Sequence, residues 1–317
     1  MAKNKIFVIY AGSIAEREDL DDVSQQVRSC LDDLGYISEV ICAYDYPPAA
    51  WNLSDISAGL VILLDPYYEV NGRVFDLRRQ FDVQKITYTG PGYFASTKTA
   101  DKVECKIFLN DGIIAMIPNK ICHSLDDFRD FIRNNTSNAF VVKPVDRGGG
   151  LDVYHIERAN IDEEIPPLLL SKYGKFLIEK YIPGQEISIS VIQRPFDGKI
   201  ITFPPVSIVL KGYTIFNAEA KKDPNSRIIT IPAKIDSDQK GKLLNFSTRA
   251  YNLLNFSGLL RVDFLECNGD LFFLEANSYP TLGRNHGLSV PSAKTLGYDQ
   301  KEIIKWLIDT ATKDVSY

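Results

Sequence analysis

The chain has 317 residues, 45% of them hydrophobic and 24% charged, the proportions of an ordinary folded protein with room for two or three domains and a substantial core. Its formal net charge of −5 argues against a general nucleic-acid binder or a polybasic membrane surface, and no apolar run approaches the roughly 20 residues of a membrane-spanning helix. Five widely spaced cysteines (Cys30, Cys42, Cys105, Cys122, Cys267) show neither CxxC nor metal-ligand spacing, which favours free thiols in a reducing compartment, the cytoplasm.

Met1–Lys5 runs straight into an apolar stretch, so no signal peptide is expected. Residues 6–10 read as a strand ending in the small-residue turn Ala11-Gly12-Ser13. A helix follows over about 20–34, stopped by Gly35, then strands over 39–43 and 60–64. Alternating strands and helices predict a parallel α/β sheet whose ligands lie beyond the strand carboxyl ends. A second segment begins near Ser96, with helices over 98–110 and 125–134 and a strand over 140–143. The last third reads as α+β: strands over 176–179, 186–193, 200–209 and 227–232, then a paired 260–264 and 273–277, with helices over 240–254 and 301–312.

Three stretches carry chemistry. The strand ending at Lys143-Pro144 leads into Asp146-Arg147-Gly148-Gly149-Gly150, a turn whose glycines let backbone N–H groups approach an anion, with a lysine beside it suited to a polyphosphate. A mobile hairpin tip has the same composition, and the sequence is not a Walker A loop. The strand through Glu179, with Lys180, Tyr181, Ile182 and then Glu186, offers free backbone groups and two carboxylates at a strand end, able to read an adenine edge and bind ribose hydroxyls; by itself it equally fits a surface turn. Finally, Arg261 and Asp263 alternate with apolar residues, as do Glu275 and Asn277, and Asn268-Gly269 between them is a hairpin signal. Pairing would gather two carboxylates, an amide oxygen and a guanidinium, a set suited to Mg²⁺ whose other ligands are phosphates. The alternation alone also fits a half-exposed hairpin with surface charges.

Taken in order, Lys102, Lys143-Pro144, the glycine turn, Glu179 to Ile182, Glu186, Glu219-Ala220-Lys221, Arg261-x-Asp263 and Glu275-x-Asn277 resemble the ATP-grasp ligases. Ala15-Glu16-Arg17-Glu18 resembles the AERE turn of the D-alanine–D-alanine ligase family. Tyr88-Thr89-Gly90, Ala95-Ser96 and Asp101-Lys102 resemble its YTG…AS…DK passage, so the likeness covers essentially the whole chain. It implies an ATP-grasp fold with an N-terminal Rossmann-like domain, divided as 1–97, 98–184 and 185–317. It implies ATP, held by Lys102 and Lys143 at the α- and β-phosphates and by Gly148, Gly149 and Gly150 of the turn. Glu179 and the Lys180-Tyr181-Ile182 segment would take adenine, Glu186 ribose, and Lys221 the γ-phosphate. Asp263, Glu275 and Asn277 would ligate two Mg²⁺ ions (Mn²⁺ as a substitute), and Arg261 would stabilise charge on an acyl phosphate attacked by an amine. The glycine turn and the 211–227 segment would act as lids, and a homodimer is implied.

The amino-acid half departs from that family. The arginine-glutamate-glycine-serine-serine run expected after the lysine-proline is Asp146-Arg147-Gly148-Gly149-Gly150, and the aromatic expected after Lys221 is Lys222. The HGxxGEDG-type turn is the segment from Asp65 to Gly72, and the loop after Asn277 is about two residues longer. Glu16 is the expected contact to the activated substrate; Arg284, His286 and Gly287 are those expected in the altered loop. His123 and His155 stand outside any motif and are expected to be structural. The phosphate and metal residues are intact while the acyl side has changed. The sequence therefore predicts an ATP-dependent carboxylate–amine ligase, joining an amino acid to a carboxylate in specialised biosynthesis. The alternatives are a genuine D-alanine–D-alanine ligase of cell-wall synthesis and a non-catalytic nucleotide-binding regulatory protein.

Overall fold

The computed structural model describes residues 5–12, 16–44, 56–70, 73–161, 164–285 and 287–311. His286 lies outside these, as do Ser13, Ala15, Asn71 and Gly72.

β1 (Lys5–Tyr10), β2 (Ile37–Cys42) and β3 (Leu60–Asp65) form a parallel sheet in the order β2-β1-β3. β1 and β3 are buried over nearly their whole length, as expected when helices cover both faces. α1 (Arg17–Asp33) crosses between β1 and β2 and buries Leu20, Val23, Val27 and Leu31 at helical spacing. Beyond β3 comes a hairpin that the alternation did not reveal, β4 (Tyr67–Val70) with β5 (Arg73–Asp76), and then α2 (Leu77–Gln84), capped by Asp76. The expected helix over 98–110 is two helices, α3 (Tyr93–Ala100) and α4 (Lys102–Leu109). Asp101 takes extended backbone and accepts from the Val103 and Glu104 amides, so a new helix starts there.

Two further sheets follow, antiparallel but for one parallel pair at the edge of the second. One is ordered β7 (Asn119–Cys122), β10 (Phe176–Lys180), β8 (Ala139–Lys143), β9 (Tyr154–Glu157), and packs on α5 (Leu125–Asn134) and α6 (Ile165–Tyr173) through Phe128, Phe131 and Leu169. The other runs β14 (Arg227–Thr230), β13 (Val206–Leu210), β11 (Gln185–Gln193), β15 (Leu259–Cys267), β16 (Asp270–Asn277), β6 (Ala115–Met116), with β12 (Ile200–Thr202) beside β11. The strand expected over 200–209 is broken into β12 and β13 where Pro204-Pro205 removes two ladder donors. α8 (Ser237–Leu253) covers this sheet through Leu243, Phe246 and Ala250. α7 (Ala218–Lys222) lies in the connection before β14, and α9 (Ser289–Lys294) and α10 (Gln300–Asp309) close the chain.

The cores cut across the expected division at 97 and 184. Ile303, Ile304, Trp306 and Leu307 of α10 share one buried cluster with Ile6, Val8, Val27 and Ile62 of the N-terminal sheet. All five cysteines are free thiols, and no described helix is long and apolar enough to cross a membrane.

Candidate active site

β15 and β16 pair with Arg261 opposite Asn277 and Asp263 opposite Glu275, so the four alternating polar side chains do share one face. Asn268 and Gly269 both take positive φ, 53° and 94°, the conformation a two-residue hairpin needs. β11 borders the patch on its other side, with Ser188 opposite Asp263 and Ser190 opposite Arg261. Arg261 grips Asp263 with two nitrogens, Nε to Oδ1 at 2.9 Å and Nη2 to Oδ2 at 2.8 Å. Ser188 Oγ donates to Asp263 Oδ1 at 2.6 Å, and Asn277 Nδ2 donates to Oδ2 at 2.6 Å and to Glu275 Oε1 at 3.4 Å. A half-turn of the Asn277 amide exchanges its nitrogen for its oxygen beside both carboxylates. Among the described residues no three acidic, histidine or cysteine side chains converge as a self-sufficient metal site. Two carboxylates and an amide instead fit a magnesium ion that draws its remaining oxygens from phosphate and water.

Facing this hairpin are three lysines, Lys106 and Lys143 buried and Lys102 partly so. Lys102, which opens α4, donates to the Arg147 carbonyl at 2.6 Å and lies 3.9 Å from Glu275 Oε2. Lys143, at the end of β8, is 2.6 Å from Glu179 Oε2. Lys106, one helical turn after Lys102, pairs with the other oxygen of Glu179. Burial presses the pKa of Lys102 and of Lys106 below the ordinary lysine range. At Lys143 burial acts the same way, but Glu179 and Glu275 outweigh it and the pKa rises. Glu179 and Glu275 are themselves desolvated, yet the surrounding cations draw each down to about 2. Glu186, on the same face of β11, goes the other way: burial, helped by the charge of Asp263, pushes it up to about 7.

Glu179 therefore stands between Lys106 and Lys143, a tie that the sequence reading did not contain. Its carboxylate still has lone pairs for a further donor. Beside it the Lys180 N–H donates to the Pro118 carbonyl at 2.9 Å and the Tyr181 N–H to Ala139 at 3.0 Å. Among the described residues the Ile182 N–H has no acceptor. The Lys180 side chain is exposed. Tyr181 stacks edge-on to His155 at 4.6 Å and donates to the Thr214 carbonyl at 3.3 Å, which links it to the 211–227 segment.

The glycine turn is a junction. Gly148 has open space around it, whereas Gly149, at φ 68°, lies so close to Glu16 that a Cβ would stand 3.0 Å from Oε1. Gly150 backs onto Asn217 and accepts from the Ala218 N–H at 3.0 Å. The turn thus meets Glu16 on one side and α7 on the other. On α7, Lys221 is exposed and its ammonium lies 5.4 Å from the centre of the Phe216 ring; Lys222 is exposed as well.

Of the expected substrate contacts in the loop after Asn277, Arg284 has partners within the protein. Arg284 donates from Nε to Gln300 Oε1 at 2.6 Å and from Nη2 to Cys30 Sγ at 3.4 Å, while its backbone N–H bonds Gln26 at 3.0 Å. The guanidinium is built into the junction of α1 and α10. Gly287 packs against Thr281, and His286 lies outside the described residues. Lys106 and Ser188 went unnoticed in the sequence, although each leaves a trace: Lys106 is four residues from Lys102 on one helix face, and Ser188 alternates with Glu186.

The model of the D-ala D-ala ligase C-terminus family matches residues 104–309. The chain belongs to the D-alanine–D-alanine ligase family. It is an ATP-grasp, ADP-forming carbon–nitrogen ligase that acts on small molecules. Over 313 residues it is 25% identical to the D-alanine–D-alanine ligase of Pelagibacter ubique, covering 97% of this chain and 98% of that one. It is 27% identical over 317 residues to the enzyme of that name from Halalkalibacterium halodurans, covering 98% and 99%. The crystal structure of D-alanyl-alanine synthetase A from Vibrio cholerae superimposes with a TM-score of 0.81 over 98% of this chain and 99% of that one, at 16% identity, and so speaks for the fold alone. The ATP-grasp fold with its N-terminal Rossmann-like sheet is as expected. These family relatives favour the D-alanine–D-alanine ligase alternative over a ligase of specialised biosynthesis, and they lend nothing to a non-catalytic regulator.

Proposed function

We propose that the protein joins two amino acids of the D-alanine type into a dipeptide at the expense of ATP. The observation that carries this is the β15–β16 pairing, whose register shifts beside Asp263 and sets Arg261, Asp263, Glu275 and Asn277 on one face, opposite the ammonium groups of Lys102 and Lys143. Positioning and charge neutralisation are what phosphoryl transfer chiefly requires.

In this reading Lys102, Lys143 and the N–H groups of the glycine turn hold the α- and β-phosphates, and Lys221 swings from α7 to the γ-phosphate. Adenine lies along Glu179 to Ile182, with the Ile182 N–H as donor to its ring, and Glu186 takes the ribose. Asp263, Glu275 and Asn277 would ligate two magnesium ions, which supply charge neutralisation between the phosphates when bound. The donor carboxylate attacks the γ-phosphoryl group beside Arg261, and ADP leaves. The amine of the second amino acid then attacks the acyl phosphate, forming the amide and releasing phosphate. Glu16, beside the glycine turn, holds the donor's ammonium group. A three-part organisation (1–97, 98–184, 185–317), a homodimer and a cytoplasmic location belong to the same proposal.

The test is D-alanine-dependent release of ADP and phosphate by the purified protein, with the dipeptide identified by mass spectrometry. Asp263→Asn, which removes one charge from the metal set and the partner of Arg261, is expected to lower kcat at least about a hundredfold. The proposal fails if neither D-alanine nor any other amino acid stimulates ADP release.

A further inference from the structure

In the glycine turn the backbone N–H groups have a role, and the one cationic side chain beside them, Arg147, has none. The Arg147 carbonyl accepts from the Lys102 ammonium at 2.6 Å, and that ammonium lies 3.9 Å from Glu275 Oε2. Its backbone is therefore fixed at the edge of the phosphate site. The half-buried guanidinium turns the other way and stacks on Tyr173, the last residue of α6, with 5.5 Å from its carbon to the ring centre. Among the described residues it has no carboxylate partner and makes no hydrogen bond.

That hold is loose. The same ring carries a second cation, the Lys172 ammonium, 5.2 Å from its centre, and two cations over one ring repel each other. The carboxylate of this corner, Asp152, is already taken. Lys172 donates to its Oδ2 at 2.6 Å, the Tyr173 hydroxyl donates to the same oxygen, and the Tyr154 hydroxyl donates to Oδ1 at 3.3 Å. Arg147 is thus a permanently charged, planar fork without an anion, of the shape that matches phosphate oxygens.

The placement of the turn says which phosphate it meets. The turn runs from Lys102, which serves the α- and β-phosphates in the reading above, to Gly149, where a Cβ would stand 3.0 Å from Glu16 Oε1. The γ-phosphoryl group and the donor carboxylate would meet along that span. A Cβ at Gly148 would find nothing within 4 Å, so the position next to Arg147 does not obstruct a swing of its side chain. The two serines expected in this turn are glycines here, so the turn has no hydroxyl to offer.

We propose that Arg147 is a further phosphate ligand of the ligation site: its guanidinium leaves the Tyr173 ring for the terminal phosphate of ATP and supplies side-chain donors to the charge that builds there during transfer. The proposal rests on the ATP-dependent ligase reading above.

The experiment measures, by calorimetry on the full-length protein with Mg²⁺, the binding of ADP and of the β,γ-imido analogue of ATP, beside kcat for ADP release. Arg147→Met is expected to lose at least about tenfold in affinity for the analogue, the ratio carried by one charge-assisted hydrogen bond, while its affinity for ADP stays within about twofold. Its kcat falls as well. Arg147→Lys, which keeps the charge but not the fork, restores part of the loss. Tyr173→Leu removes the ring and is expected to keep the analogue-to-ADP ratio at least as high as in the parent chain. Should Arg147→Met not fold, Arg147→Lys carries the test through a smaller loss confined to the analogue. Equal losses for both nucleotides, no loss for either, or a Tyr173→Leu chain that reproduces the Arg147→Met ratio overturn the phosphate contact while the ligase reading stands. A parent chain that binds neither nucleotide overturns the ATP-dependent reading itself.

Discussion

Glu179 is 2% exposed and meets two ammonium groups, from Lys106 and Lys143. Replacing it by Gln strands both lysines in the interior, and breaking a buried pair in this way costs about 3–5 kcal/mol, to be read as a lower urea midpoint at pH 7. The same site makes stability depend on pH with two opposite signs. Glu179 falls from 4.5 to about 2 on folding, so its contribution is complete above pH 4.5 and is lost as pH falls through 2. Glu186 rises from 4.5 to about 7, so its protonated form favours the fold below pH 4.5, and that contribution is lost as pH rises through 7. Urea midpoints at pH 3, 4.5 and 7 check this: relative to the parent chain, Glu186→Gln is expected to flatten the decline from 4.5 to 7 and leave the acid limb in place. An unchanged slope between pH 4.5 and 7 in that variant would refute the assignment. The residues that carry charge onto phosphate were legible because lysines, glycines and alternating carboxylates leave a linear trace. Arg284 was legible only as a charge: a loop position does not tell where its fork turns, and here its Nε donates to Gln300, 16 residues on.

Between elements, the Tyr88-Thr89-Gly90 turn is held where three segments meet. Gly90 has φ 106°, and a Cβ there would stand 2.7 Å from the Tyr279 ring. On the other side Gly258 approaches the Gly90 backbone, and Ser257 Oγ donates to the Gly90 carbonyl at 2.6 Å. The turn thus fixes the strand entering the hairpin and the loop leaving it. Gly90→Ala combines an unfavourable backbone region with overpacking, so a loss of about 3 kcal/mol is expected. Because Tyr279 follows Asn277 so closely, kcat should fall in the same variant even at temperatures where its circular dichroism matches that of the parent chain. Full activity in a folded Gly90→Ala protein would show that the clasp does not position the site. Element breaks of this kind were only half visible in the sequence. Pro204-Pro205 should have split the strand over 200–209, and Asp101 could have been read as a cap within 98–110. The β4–β5 hairpin was harder to see, because Tyr67, Tyr68, Val74 and Phe75 do not alternate with polar residues in a period of two.

At the scale of the whole molecule, the chain's end belongs to its beginning. Trp306 is 3% exposed, and the cluster that buries it draws on β1, α1 and β3 as well as on Phe203, Leu259 and Leu282. The division into 1–97, 98–184 and 185–317 follows sequence order, but hydrophobic periodicity along α10 says only that one face is buried, not which sheet covers it. If this shared cluster is a single cooperative unit, weakening it from the far end must loosen the near one. Trp306→Ala removes a large buried ring and is expected to cost about 3–5 kcal/mol. In hydrogen exchange, the amides of Phe7, Val8 and Ile9 should lose protection together with those of Ile303 to Leu307, because one opening exposes both. The sheet of β7, β10, β8 and β9 has its own core around Phe128, Phe140 and Phe176, and should keep its protection. Faster exchange confined to α10 would instead mean that the helix docks on an N-terminal domain that folds without it. The distinction reaches the site, because Glu16 sits at the edge of the sheet that Trp306 supports, whereas Asp263 and Glu275 sit on the sheet covered by α8.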